Sequence, residues 1–140
     1  MPEVKTDRLV IDTNVIISVF LKRDFALLPD LKYVYNSTLY TCPEQIMELA
    51  RVLKEPKIKK NLFESTDYYL DFFRDFSNIR IIDKRFDRAA DPDDNYLFDL
   101  AYTVKAYYLV TGEKALLNMK HVNEIRIITL KELMTLLKKE

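Results

Sequence analysis

The chain has 140 residues, 22 of them basic and 22 acidic, so its formal net charge is zero and it lacks the global positive field of a strong nonspecific nucleic-acid binder. With 49% hydrophobic residues, this length can close a core of two or three layers, and one domain over residues 1–140 is expected. The single cysteine excludes an internal disulfide. No basic start followed by an apolar stretch marks a signal peptide, and no apolar run approaches the roughly 20 residues that cross a bilayer; these features point to a cytoplasmic protein without a membrane partner.

In chain order, Arg8-Leu9-Val10-Ile11 is a continuous apolar run that suits a strand buried on both faces of a parallel sheet, and it ends at Asp12. Asn14 to Leu21 reads as a helix, with so many β-branched residues that its formation depends on tertiary burial. A short helix around Pro29 follows, then a second strand at Ser37–Tyr40. Thr41 and Glu44 have capping-box spacing before a helix through Leu53, with Ile46, Leu49, Ala50 and Leu53 as its apolar stripe. Lys54 to Lys60, with Pro56, reads as a basic turn or broken helix. Ser65 to Phe76 has helical spacing through Tyr69, Phe72, Phe73 and Phe76, which makes those rings core or partner surface before a base-stacking platform.

Ile79–Ile82 supplies a third strand, and residues 83–92 a loop. Asp94 to Lys105 is helical, Tyr108–Val110 is a fourth strand and Arg126–Ile128 a fifth. Thr129 and Glu132 form a second capping-box pattern before an amphipathic C-terminal helix. Strands alternating with helices imply a three-layer α/β/α sandwich around a five-stranded, mostly parallel sheet, because parallel neighbours need crossovers and the crossovers are helices. The only glycine, Gly112, excludes a glycine-rich phosphate loop.

In such a sheet, ligands bind beyond the carboxyl ends of the strands. Asp12 follows the first strand, Glu113 lies three residues after Val110, Asp94 opens the helix leading into that fourth strand, and Glu48 sits in the helix after the second. Four carboxylates gathered at one edge would raise one another's pKa or demand a cation, and hard oxygen ligands favour Mg²⁺ or Mn²⁺. Phosphodiester hydrolysis is the matching reaction class. Competing readings stand beside each acid: Asp12 as a plain helix cap, Glu48 as a solvent-facing partner of Arg51, Asp93 in place of Asp94, Glu113 as a first-turn helix carboxylate. Cys42 reads as a small buried hydrophobe and His121 as a surface loop residue. Lys54, Lys57, Lys59 and Lys60, with Arg85 and Arg88, are a solvated face or, if they line a groove, phosphate contacts.

The blocks Leu9-Val10-Ile11-Asp12-Thr13-Asn14, Pro43-Glu44-Gln45-Ile46-Met47-Glu48-Leu49, Asp91-Pro92-Asp93-Asp94-Asn95-Tyr96-Leu97 and Tyr108-Leu109-Val110-Thr111-Gly112-Glu113 together resemble the PIN domain family, in the branch of VapC-like toxins of toxin–antitoxin systems. The resemblance implies a five-stranded parallel sheet, Mg²⁺ or Mn²⁺ dependence and endonucleolytic cleavage of RNA. It assigns the metal-binding and catalytic acids to Asp12, Glu48, Asp94 and Glu113, and polar support of ligand, water or phosphate to Asn14 and Thr111. A homodimer and a separate antitoxin protein are the implied partners. Relatives usually carry Asp where this chain has Glu113, which keeps open the alternative of a catalytically weak or inactive PIN-fold scaffold that binds RNA or protein.

Overall fold

A computed structural model describes residues 7–83 and 95–139 of the chain. The expected loop over 83–92 therefore lies outside the described residues, apart from Asp83, as do Arg85, Arg88, Asp93 and Asp94. The strands are β1 (Asp7–Ile11), β2 (Ser37–Thr41), β3 (Asn78–Ile79), β4 (Tyr108–Val110), β5 (His121–Val122) and β6 (Ile125–Ile128). The helices are α1 (Thr13–Leu21), α2 (Leu27–Tyr33), α3 (Pro43–Leu53), α4 (Pro56–Lys59), α5 (Thr66–Asp75), α6 (Asn95–Thr103), α7 (Lys114–Leu117) and α8 (Leu130–Lys138).

One sheet runs in the order β3-β2-β1-β4-β6-β5. All its pairings are parallel except β5 with β6, which is antiparallel. The sheet thus has six strands where five were expected. The added strand is the edge piece β5, joined to β6 by a two-residue turn through Asn123 at φ 53°, a conformation asparagine tolerates. His121 belongs to this strand and is exposed, so it is a surface residue of an edge strand, not of a loop. At the other edge β3 is shorter than the expected 79–82 run, and Ile81 is 78% exposed.

Alternation along the strands divides the core in two. Leu9, Ile11, Val110 and Ile128 face a cluster built with α1, α2, α3, α5 and α8, which includes Phe20, Leu49, Tyr69, Phe73 and Leu133. Val10, Leu109 and Ile127 face the opposite cluster, closed by Leu97, Phe98, Leu100 and Ala101 of α6 and Leu116 of α7. This is the expected three-layer α/β/α sandwich. Burial of Ile16, Ile17, Val19 and Phe20 accounts for α1 despite its poor intrinsic propensity. Tyr69 and Phe73 of α5 are fully buried and Phe72 and Phe76 half-buried, so that aromatic helix belongs to the core.

The two capping boxes read from the sequence fare differently. Thr129 and Glu132 form theirs at the start of α8. Thr41 and Glu44 do not: Thr41 is the last residue of β2, and its hydroxyl donates to Gln45 instead. Residues 54–60 contain the one-turn helix α4, which begins at Pro56, where the missing N–H of proline costs nothing.

Candidate active site

The chain runs from β1 outward to β2 and β3 on one side, while β4 and β6 lie on the other, so the order of connection reverses between β1 and β4. Loops leaving the carboxyl ends of these two strands diverge and open a crevice. Asp12 leaves β1 there, with its backbone N–H donating to Val110 O at 2.8 Å. Thr111 leaves β4 beside it, and its hydroxyl donates to Asp12 Oδ2 at 2.8 Å. The same Thr111 oxygen accepts from the Glu113 backbone N–H at 3.1 Å, fixing the turn that carries Glu113.

Asp12 is only 3% exposed. Its other carboxylate oxygen accepts from the Asn14 N–H at 3.3 Å, so it does cap α1, and the capping role coexists with its place in the crevice. Burial pushes the Asp12 carboxyl above its ordinary range; the bonds from Thr111 and Asn14 pull it back, and the charges of Glu48 and Glu113 raise it further. Those Coulombic effects place Glu48 and Glu113 within electrostatic reach of Asp12. Of the other predicted acids, Glu113 lines the same groove as Asp12, Glu48 lies outside that lining and acts on Asp12 through its charge, and Asp94 lies outside the described residues. Asn14 is exposed on α1 next to Asp12.

Glu48 is not paired with Arg51, whose guanidinium instead meets Glu55 at 3.4 Å on the surface. A chain of hydrogen bonds holds Glu48. Thr41 Oγ1 donates to Gln45 Oε1 at 2.7 Å. The Gln45 amide donates to the Ile11 carbonyl at 2.6 Å and lies 3.5 Å from Thr13 Oγ1. Thr13 Oγ1 and Tyr96 Oη are 3.0 Å apart, and Tyr96 donates to Glu48 Oε1 at 3.0 Å. Since the Tyr96 proton goes to the carboxylate, Thr13 must be the donor to Tyr96, which leaves its oxygen free to accept from Gln45. All donors thus point toward Glu48. Burial above all, with the Glu48 charge beside it, pushes the Tyr96 hydroxyl well above its ordinary pKa, so it remains a donor at any physiological pH.

Thr13, Gln45 and Tyr96 had no role assigned from sequence. Tyr96 is 48 residues from Glu48 and 83 from Thr13, so no local pattern announces the contact. Gln45, fully buried on the helix that carries Glu48 and one turn before it, was the nearest to a legible signal. Cys42 is fully buried, and burial pushes its thiol up to about 11, which removes it as a nucleophile.

Among the described residues, no three His, Cys, Asp or Glu side chains stand close enough to hold a metal ion by themselves. What is present is a buried carboxyl that feels the charge of two further carboxylates, none of which is in the ion pair of Arg51 with Glu55. A cation is the missing counter-charge, and an oxygen-liganded ion that keeps water in its shell fits this partial set. Glu113 is half-buried and Gly112 exposed where the loop opens to solvent. No helix among the described residues is long and apolar enough to cross a membrane.

No curated protein gives a significant match to the chain. The family model of the PIN domain, however, matches residues 8–115, a span that runs from β1 past Glu113 and contains all four acids. PIN domains are a superfamily of nucleases that act on nucleic acids, generally with divalent metals and often within toxin–antitoxin systems. With the reversal of strand order between β1 and β4, the buried aspartate beyond it and a family match over most of its length, the chain belongs to the PIN domain family.

Proposed function

We propose that this protein is a Mg²⁺- or Mn²⁺-dependent endoribonuclease of the VapC-like branch, acting as a single domain in the cytoplasm. The observation that carries the reading is Asp12: a buried carboxyl at the β1/β4 crevice, raised by desolvation and by two further carboxylates, is costly unless a cation joins it. Asp12, Glu48, Asp94 and Glu113 would hold the ion. When bound, the ion supplies the positive charge that makes water a better nucleophile and stabilises charge on the phosphate and leaving oxygens.

The chain's own groups do the rest. Thr111 and the Asn14 N–H fix both oxygens of Asp12, so that carboxylate cannot rotate away. Tyr96 holds Glu48 in one rotamer. Asn14, exposed at the mouth, offers an amide to a phosphate oxygen or to the attacking water. In the reaction the water oxygen bonds to phosphorus, one P–O bond breaks, and the proton released by the water ends on the leaving oxygen or in solvent. The toxin role, the antitoxin partner and the homodimer rest on the family alone.

The test is cleavage of a mixed pool of structured and single-stranded RNA by the purified protein in Mg²⁺, Mn²⁺ and EDTA, with Asp12→Asn and Asp94→Asn alongside. Metal-dependent cutting lost in both variants is expected. A second reading, a scaffold with weak catalysis, is favoured by Glu113 standing where relatives carry aspartate. RNA bound without cutting in any metal would select it.

A further inference from the structure

An open groove of about 670 Å³ leads away from Asp12, between one face of α1 and the start of α8. Asn14, Val15, Ser18 and Lys22 line the first wall, Leu130 and Lys131 the second. From Asn14 to Lys22 the helix advances about 12 Å at roughly 1.5 Å per residue, so Lys22 stands well beyond Asp12 along the same trough. None of the lysines between residues 54 and 60 lines it.

The groove carries charges of both signs. Asp12, Asp24 and Glu113 oppose Lys22 and Lys131, which leaves the lining one negative charge in excess. Among the described residues neither lysine is in an ion pair, although Asp24 lines the same groove. Lys22 at the C-terminal end of α1 suits the helix dipole. Lys131 does not: it lies in the first turn of α8, where the dipole favours anions and disfavours a cation. The adjacent Glu132 is occupied in the capping box, its Oε1 accepting from the Thr129 N–H and hydroxyl. A cation placed against the dipole, without a carboxylate partner, on the wall of a groove that ends at the buried Asp12, is suited to an anion that comes from outside.

We propose that Lys22 and Lys131 bind the phosphodiester backbone of a single nucleic-acid strand laid along α1, one lysine on each side, with the strand's reactive phosphate at Asp12. The assignment of the reactive phosphate rests on the nuclease reading above; the two lysine contacts do not. Val15 and Leu130, apolar, half-buried and lining the same trough, give the bases a surface to rest on, so affinity is sequence-tolerant and salt-dependent.

The test uses the Asp12→Asn protein in EDTA, which removes cutting and one negative charge of the groove. Binding of a fluorescein-labelled 12-nucleotide RNA, and of DNA of the same sequence, is followed by anisotropy from 20 to 200 mM salt. Lys22→Ala and Lys131→Ala are each expected to weaken binding roughly three- to tenfold and to lower the slope of log K against log salt by about 0.7, the value for one single-strand phosphate contact. Lys59→Ala and Lys138→Ala serve as controls and are expected to change neither. Lys131→Ala should also melt no lower than its parent, since it removes a cation from the wrong end of a dipole; lost affinity then reports binding and not damage. Equal losses with RNA and DNA mean the backbone alone is read, and losses confined to RNA mean the 2′-hydroxyl contributes; both support the contacts. Unchanged affinity in both variants, or no binding by the parent at 20 mM salt, overturns the proposal. Lysine-dependent binding by a wild-type protein that cuts in no metal would sink the nuclease reading and leave this one standing; cutting with lysine-independent binding would do the reverse.

Discussion

Replacing Tyr96 by phenylalanine removes a single oxygen and leaves the ring in place, so the change isolates the bond from Tyr96 Oη to Glu48 Oε1. A hydrogen bond to a charged group contributes about 1.5–3 kcal/mol, and losing it lets Glu48 turn away from Asp12, whose charge repels it. At about 1.4 kcal/mol per decade this corresponds to a fall of roughly ten- to a hundredfold in metal affinity, the range found when partners of metal ligands are removed. Because burial keeps Tyr96 protonated, the loss should be the same from pH 6 to pH 8. Mn²⁺ titration by calorimetry measures it directly. A double-mutant cycle then tests the cause: in a Glu48→Gln background, Tyr96→Phe should cost less than threefold, since the carboxylate it positions is gone. Affinity within twofold of wild type for Tyr96→Phe, or full additivity in the cycle, would refute the idea that the Thr13–Tyr96 relay positions Glu48.

Asp12→Asn should raise the melting temperature of the metal-free protein near neutral pH. The folded carboxyl has a raised pKa, so its contribution to stability is fully present below the unfolded value of about 3.9 and is lost as pH rises through the folded value; the amide escapes that loss. Each kcal/mol regained appears as roughly 2–4 °C at this size, and a melt lower than wild type above pH 6 would contradict the desolvation account. Gln45→Leu strands the Ile11 carbonyl and the Thr41 hydroxyl in the core and is expected to cost about 2–4 kcal/mol in urea denaturation. Gly112→Ala should fold normally, because a Cβ there meets nothing within 4 Å and the residue has no positive φ. Its methyl would stand on the wall of the groove, so KM for RNA rising at unchanged stability is the expected signature. Glu113→Gln should weaken Mn²⁺ binding less than Asp12→Asn, since Glu113 is half-buried where Asp12 is buried; the reverse order in calorimetry would move the centre of the site.

Much of this protein is written locally. Continuous apolar runs give β1 and β4, helical spacing gives α3, α5 and α8, and the Thr129–Glu132 pair gives the α8 cap, because each depends on residues within a turn or two of one another. Strand ends likewise announce Asp12 and Thr111, since an α/β sheet puts its chemistry where strands stop. The edge strand β5 escaped because two residues, His121 and Val122, carry no period, and their pairing exists only once β6 is in place. Thr41 misled for a related reason: its spacing to Glu44 fits a cap, but β2 continues through it and the buried amide of Gln45 offers its hydroxyl a partner out of reach of water.

The site itself was decided by tertiary structure. Sequence named Asp12, Glu48, Asp94 and Glu113, yet the closeness of Asp12 to Thr111 and the turn before Glu113 depends on the parallel register of β1 with β4, which sets Ile11 against Val110 and brings the two strand ends side by side. Beside the reading of Glu48 as a site acid, the sequence left open a solvent-facing pair with Arg51 one turn away, a contact of only about 0.2–0.5 kcal/mol. The fold instead brings Tyr96 of α6 to Glu48 of α3, 48 residues apart, and a donor in a partly dry crevice outweighs an ion pair in water. Local periodicity fixes which face of each helix is buried; only packing across the sheet decides which polar atoms meet there.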